Sequence, residues 1–347
     1  MPEPGHRLGD HTTLRLGGPA RRWVTATTEA ELVEAVDAAD RSGEPVLVLA
    51  GGSNLVVADE GFDGVVVEVA TRGVHPDVDD DVSCGGVMVT VAAGESWDDL
   101  VGTAVERGWI GIEALSGIPG SVGATPIQNV GAYGQEVSQT VASVRVWDRR
   151  LHGVRTFANA DCGFGYRHSR FKADPGRHVV LDVTYQLAQG TLGTSVTYAE
   201  LSRRLGIESG ERAPLAEVRN AVLALRRGKG MVLDPDDHDT WSAGSFFTNP
   251  VVDAAALPDG APAWPQPDGR VKTSAAWLIE RAGFGKGYGL EGGAAVSLSA
   301  KHTLALTNRG GATTAELLEL ARTVRDGVEA AFGIRLVNEP VLVGCEL

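Results

Sequence analysis

The chain has 347 residues, 43% of them hydrophobic, and a formal net charge of −14. That is enough apolar material for two or three domains with cores of their own, and it excludes a disordered chain or a small disulfide-stapled module. The acidic balance, with no basic run or basic-aromatic ladder to offset it, argues against a nucleic-acid partner.

At the start, "MPEPGHRLGDHTTLRLGG" has no apolar stretch of the kind a secretory leader carries. No later window approaches the roughly 18 apolar residues of a membrane-spanning helix. A cytoplasmic protein without membrane insertion is expected. "RRWVTATT" then reads as a strand, and a helix follows from Thr28, whose spacing to Glu31 is that of a capping box, with Leu32, Val33, Val36 and Ala39 along one face. "PVLVLAGG" and "GVVVEV" return as strands and enclose the turn "AGGSNL". The acidic "HPDVDDDVSCGG" reads as a solvated loop bounding this block.

Next come a strand, "VMVTVAAG", and a helix opening at Ser96 with Asp99 three residues on. Strands "VASVRVWD" and "HVVLDVTYQL" follow, then a helix through "APLAEVRNAVLALRRGKG" with a basic end. Helices "TSAAWLIERAGF" and "TAELLELARTVRDGVEAAFG" and a last strand, "RLVNEPVLVG", complete the chain. These elements suggest domains at 1–72, 73–227 and 228–335, with a terminal strand at 336–347. Cys84, Cys162 and Cys345 are widely spaced and lack a CxxC pair, which fits reduced thiols better than a disulfide framework or zinc site. "DPDDHD" lacks the Gly and Glu that a calcium loop needs, since Asp239 and Ser245 stand there, so no metal is expected.

The chemistry concentrates in "GIPGSVGATPIQNVGAYG", residues 117–134, which has neither the dinucleotide fingerprint nor a P-loop. Glycines without a Cβ let backbone N–H groups approach an anion or flat ring, and Pro119 and Pro126 stiffen the loop. A single loop of this kind serves packing as readily as binding. Here "LAGGSNL" supplies a second such turn, and the pair suits a diphosphate-bearing cofactor.

"AGGSNL", "GIPGSVGATPIQNVGAYG", "FGYRHSRFK", "AGSFFTNP", "WLIERAG" with the later "GGAAV", and "NEP" together resemble, in order and spacing, the UDP-N-acetylenolpyruvoylglucosamine reductase family. These flavoenzymes make UDP-N-acetylmuramate for bacterial peptidoglycan. The resemblance covers nearly the whole chain. It implies an α+β protein: the two-lobed FAD-binding fold of the vanillyl-alcohol oxidase type, with a third, substrate-binding α+β domain. It implies FAD held non-covalently by Gly51, Gly52, Ser53 and Asn54 of one loop and by Gly117, Ile118, Pro119, Gly120, Ser121, Gly123, Ala124, Gln128, Asn129 and Gly131 of the other. NADPH is the implied co-substrate, a nucleotide sugar the substrate, and a monomer the expected state. "SVTYAEL" looks like the family's longer type, in which a tyrosine-bearing flap closes over the nucleotide sugar.

By the same matching, Ser245 is the proton donor, and Arg167 and Glu339 flank the substrate carboxylate, where a cation and donors stabilise the charge that builds as hydride arrives. Read alone, Ser245 would be a capping residue and Arg167 a solvated charge. Glu339, ahead of Pro340 in an apolar strand, is less ordinary. Tyr198, Lys229 and Asn249 match contacts to the diphosphate or uridine, and Tyr133 lies near flavin and substrate. Trp264 stands where relatives carry Tyr, which keeps the aromatic face and loses the hydroxyl. His302 falls at a variable position and is left outside the catalytic set. Two rivals are another FAD enzyme on the same fold, which would have no reason to carry "AGSFFTNP" with "NEP", and a nucleotide-sugar sensor, which could dispense with Ser245 and the flavin.

Overall fold

The computed structural model describes residues 6–77 and 86–347. Cys84 and most of the acidic loop at 75–86 lie outside them. The chain divides into two compact units, neither of them continuous in sequence: a smaller one of Met1–Ala20, Gly52–Phe62 and Gly228–Leu347, and a larger one of Arg21–Gly51 and Asp63–Arg227.

In the larger unit the capping box expected at Thr28 and Glu31 forms on both sides and starts the helix Glu29–Ser42, which Gly43 ends in a left-handed conformation. Its face of Leu32, Val36 and Ala39 is fully buried. Beside it lies a three-stranded sheet in the order Ala20–Ala26, Phe62–Val69, Val46–Leu49, the last two strands parallel with Val46 opposite Val65. A second sheet runs antiparallel in the order Gly153–Ala158, Val141–Asp148, His178–Gln189, Gly86–Ala92, Val74–Asp77. Val87, Val89 and Val91 alternate inward along one strand and meet Trp97, Leu100, Val101 and Ala104 of the helix Trp97–Glu106 in one apolar core. The helix Leu215–Gly228 packs Val218, Ala221 and Val222 in a separate cluster with Ala114, Val196 and Leu201.

The smaller unit is also α+β. Its longest helix, Thr314–Phe332, opens with a capping box at Thr313 and Glu316 and closes at Gly333. Asp59 accepts the N–H groups of Thr314 (2.8 Å) and Ala315 (3.0 Å) at that N-terminus, where backbone donors lack partners and negative charge is favoured. Leu317, Ala321, Val324 and Val328 bury against Leu14, Leu16, Val56, Phe246, Phe247 and Leu278. The strand Leu55–Val57 pairs in parallel with Val341–Val343.

That pairing corrects the expected borders. No unit ends at residue 72. The stretch Gly52–Phe62 belongs with the C-terminal part of the chain, so "AGGSNL" is divided between the units after Gly51. Parallel pairing between strands at opposite ends of a chain leaves no local signal. The expected final strand is shorter than "RLVNEPVLVG", covering Val341–Val343 alone, because Asn338–Pro340 turn aside and Asn338 folds its amide back on the Pro340 carbonyl (2.8 Å).

Candidate active site

Within the larger unit the glycine loop is held from beneath. Asp98, in the first turn of the helix Trp97–Glu106, accepts the Gly117 N–H at 2.6 Å and both arms of the Arg219 guanidinium at 2.6 and 3.0 Å. Burial alone would raise the Asp98 carboxyl, yet the Arg219 fork and the Gly117 N–H hold it below the usual carboxylate range. The two glycine turns touch: a Cβ on Gly51 would lie 2.6 Å from the Gly120 Cα, and one on Gly123 2.5 Å from the Ala93 Cβ. These glycines therefore answer to close packing of backbone on backbone as well as to any ligand.

The loop nonetheless retains polar groups that suit a diphosphate. The Ser121 hydroxyl is buried without a hydrogen-bond partner among the described residues. Among the described residues the N–H groups of Ile118 and Gly120 take no part in the loop's backbone hydrogen bonding. An orphaned buried hydroxyl beside unengaged N–H groups at a positive-φ glycine (Gly120, 117°) is the chemistry an anionic cofactor would satisfy. Ala124 and Pro119 fall on the same loop. The Asn129 side chain is engaged within the protein. It is 1% exposed, donates to the Glu136 carboxylate (2.9 Å) and the Gly165 carbonyl (2.9 Å), and accepts from the Ser138 N–H (3.2 Å), so its amide braces the loop. The Gln128 carbonyl oxygen accepts from Lys172 Nζ at 2.9 Å.

Three of the five non-glycine residues with positive φ among the described residues lie here: Asn129 (45°), Tyr133 (51°) and Arg167 (51°). Such backbone is strained and persists where surrounding contacts over-determine it, commonly at functional sites. Arg167 donates to the Gly131 carbonyl (2.9 Å) and sits over the Tyr166 ring. The Tyr133 ring meets Tyr198 edge to face, 5.4 Å between centroids. Tyr198 precedes the helix Ala199–Leu205 and is exposed.

Within the smaller unit, backbone pairing brings two distant motifs together. Glu339 donates its N–H to the Phe246 carbonyl (2.8 Å) and Thr248 its N–H to that of Val337 (3.0 Å). Phe246 and Phe247 are each 1% exposed and anchor the segment, so Ser245 is positioned from both sides. The Asn54 carbonyl accepts from Val341 N–H (2.9 Å), and its amide reaches the Glu339 carbonyl at 3.5 Å. These bonds bring Asn54, Glu339 and the segment after Ser245 close together in this unit. His302 joins them, with Nε2 3.5 Å from the Ser245 hydroxyl. Gly52 has its Cβ direction blocked by the His11 carbonyl, and Ser53 follows it. Lys229 is half-buried just past the helix Leu215–Gly228. Asn249 accepts the Ala275 N–H (3.0 Å), and Trp264 is exposed on the strand Ala263–Pro265. Two of the four carboxylates of "DPDDHD" are engaged by cations: Asp237 pairs with Lys301, and Asp239 with Arg309 at 2.9 Å.

Sequence reading passed over Asp98, Arg219 and the Ser245–His302 contact. Only the Ser96 cap next to Asp98 had a local signature. The rest depends on tertiary neighbours.

Residues 20–151 match an FAD-binding domain, and residues 234–343 match the C-terminal domain of UDP-N-acetylenolpyruvoylglucosamine reductase. The chain is therefore an FAD-dependent oxidoreductase. A curated protein of that name from Cutibacterium acnes is 61% identical over 340 residues, covering 98% of this chain and 90% of that one. Its namesake from Thermobifida fusca is 56% identical over 354 residues, covering 98% and 97%. A solved UDP-N-acetylenolpyruvylglucosamine reductase from Thermus caldophilus superposes with a TM-score of 0.65 at 26% identity, covering 97% of each chain. The chain belongs to the UDP-N-acetylenolpyruvoylglucosamine reductase family, and it has the two-lobed FAD-binding fold with an added C-terminal α+β part. Among the described residues no helix is long and apolar enough to cross a membrane.

Proposed function

We propose that the protein reduces UDP-N-acetylglucosamine enolpyruvate to UDP-N-acetylmuramate with NADPH, as a cytoplasmic monomer supplying peptidoglycan precursors. FAD, when bound, supplies the hydride exchange between NADPH and the terminal methylene carbon of the substrate. As that carbon gains hydride, the double-bond electron pair moves onto the α carbon and its carboxylate. Arg167 offers a planar fork of donors to two carboxylate oxygens, and Glu339 tunes the neighbouring donors. Ser245 gives its hydroxyl proton to the α carbon, closing the C–H bond, and regains a proton afterwards. Lys229 holds the diphosphate by charge, while Tyr198, Tyr133, Asn249 and Trp264 contact the nucleotide sugar.

The observation that carries this reading is the backbone pairing of Phe246–Thr248 with Val337–Glu339, which brings the segment after Ser245 against the backbone of Glu339. A flavoenzyme for another substrate gains nothing from that juxtaposition, and a sensor needs neither residue. The test is an absorbance experiment without air. The purified protein should show an oxidised-flavin band that NADPH bleaches and UDP-N-acetylglucosamine enolpyruvate restores, with UDP-N-acetylmuramate detected by mass spectrometry. A flavin that bleaches but is not restored by this substrate would reject the assignment.

A further inference from the structure

The segment ending the glycine loop and the segment bearing Tyr198 are tied by a buried polar knot that none of the roles above uses. Glu113 is 1% exposed, and its carboxylate accepts three hydrogen bonds: from Gly111 N–H (2.7 Å), Thr194 N–H (2.7 Å) and the Thr194 hydroxyl (3.1 Å). The Thr194 hydroxyl in turn accepts from the Gln135 amide nitrogen (2.7 Å), and the Gln135 carbonyl oxygen accepts from Ala114 N–H (2.7 Å). The chain passes so close over the carboxylate that a Cβ on Gly193 would lie 2.7 Å from Glu113 Oε1. Gln135 sits two residues after Tyr133, and Thr194 four before Tyr198. A buried carboxylate with every donor in place fixes its partners strongly, because losing one leaves a buried group unsatisfied.

We propose that Glu113, Gln135 and Thr194 are positioning residues that set Tyr198 against Tyr133 and so determine affinity for the nucleotide end of the substrate. This rests on the reading that Tyr198 contacts that substrate. Tyr198 is 44% exposed, and its ring packs at 83° on Tyr133, which itself packs against the cluster of Ala114, Val196 and Leu201. The knot holds both attachment points at one separation while leaving the Tyr198 ring at the surface. Thr194 is its centre, since its hydroxyl alone joins the Glu113 carboxylate to the Gln135 amide.

Thr194→Val removes that hydroxyl at nearly constant shape and keeps the backbone bond to Glu113, whereas Thr194→Ser keeps both. Dissociation constants for UDP-N-acetylglucosamine enolpyruvate are measured by calorimetric titration of the oxidised holoenzyme, together with flavin content and the rate of flavin bleaching by NADPH. Thr194→Val should weaken substrate binding about five- to tenfold, the scale of one ordinary hydrogen bond. Flavin content and bleaching should stay within about twofold, and Thr194→Ser should bind as the parent does. Tyr198→Ala should weaken binding by itself, and adding Thr194→Val to it should cost nothing more. A full additional loss in that double variant overturns the coupling while leaving Tyr198 in the site. Parental affinity in Tyr198→Ala removes the premise and the proposal with it. Loss of flavin or of NADPH bleaching in Thr194→Val reduces the knot to a general support of the fold.

Discussion

Ser245 has a hydroxyl whose unperturbed acidity is far too weak for the proton transfer assigned to it, so its surroundings must help. Gly244 (φ 71°) before it and the buried Phe246–Phe247 pair after it fix its backbone, and His302 Nε2 lies 3.5 Å from its oxygen. Ser245→Ala should leave bleaching by NADPH nearly untouched and slow the substrate-dependent return of the flavin band by roughly 10²–10⁴-fold, the range for a positioned proton donor. Rapid mixing of each half separately reads this, and a parental return rate would dismiss Ser245 as donor. At this scale the sequence was informative wherever a residue sits inside a compact motif, as Ser245 does in "AGSFFTNP". It was silent about the contact of His302 with Ser245, made through the turn after the strand Val296–Leu298, and about Asp98, whose role under Gly117 depends on Arg219 far along the chain. For Asn129 the left-handed backbone and the bonds to Glu136 and Gly165 show a bracing of the loop that the motif did not announce.

Elements with local punctuation were legible: the helix Glu29–Ser42 opens with the capping box that Thr28–Glu31 implies and closes at a glycine, and the helix Thr314–Phe332 has the same punctuation at Thr313–Glu316 and Gly333. The strand His178–Gln189 adds a property that no pattern announces. His178 begins it with a side chain 3% exposed, packed edge to face on Phe157 and Phe171. Burial pushes the imidazole below its ordinary value, and the Asp148 carboxylate 3.8 Å away does not offset this. A basic group whose folded pKa is depressed contributes stability that is present above its unfolded value, about 6.5, and is lost as pH falls toward the folded value. The melting temperature should therefore decline between about pH 7 and pH 5. His178→Phe, which keeps an aromatic ring and cannot charge, should flatten that part of the profile. An unchanged slope would show that other groups set it.

The whole molecule is interleaved, since the smaller unit recruits Leu14, Leu16 and Val56 from the first sixty residues into a core otherwise made after Gly228. A fragment of residues 228–347 should consequently remain unfolded, lacking the partner strand of Val341–Val343 and the Asp59 carboxylate at the long helix. Circular dichroism and amide exchange of the isolated fragment check this, and cooperative melting would contradict it. The parallel strand pair Leu55–Val57 and Val341–Val343 also bears on how the protein is made. On a ribosome, Leu55–Val57 emerges long before its mate, so at about 5–20 residues per second the first strand waits on the order of ten seconds to a minute with its edge unpaired. The larger unit can close as soon as Arg227 has left the exit tunnel. The smaller one cannot close until Val341–Val343 has emerged, which makes the nascent chain a client for holding chaperones and makes termination between Gly228 and Val341 yield a chain with one finished unit and one exposed core.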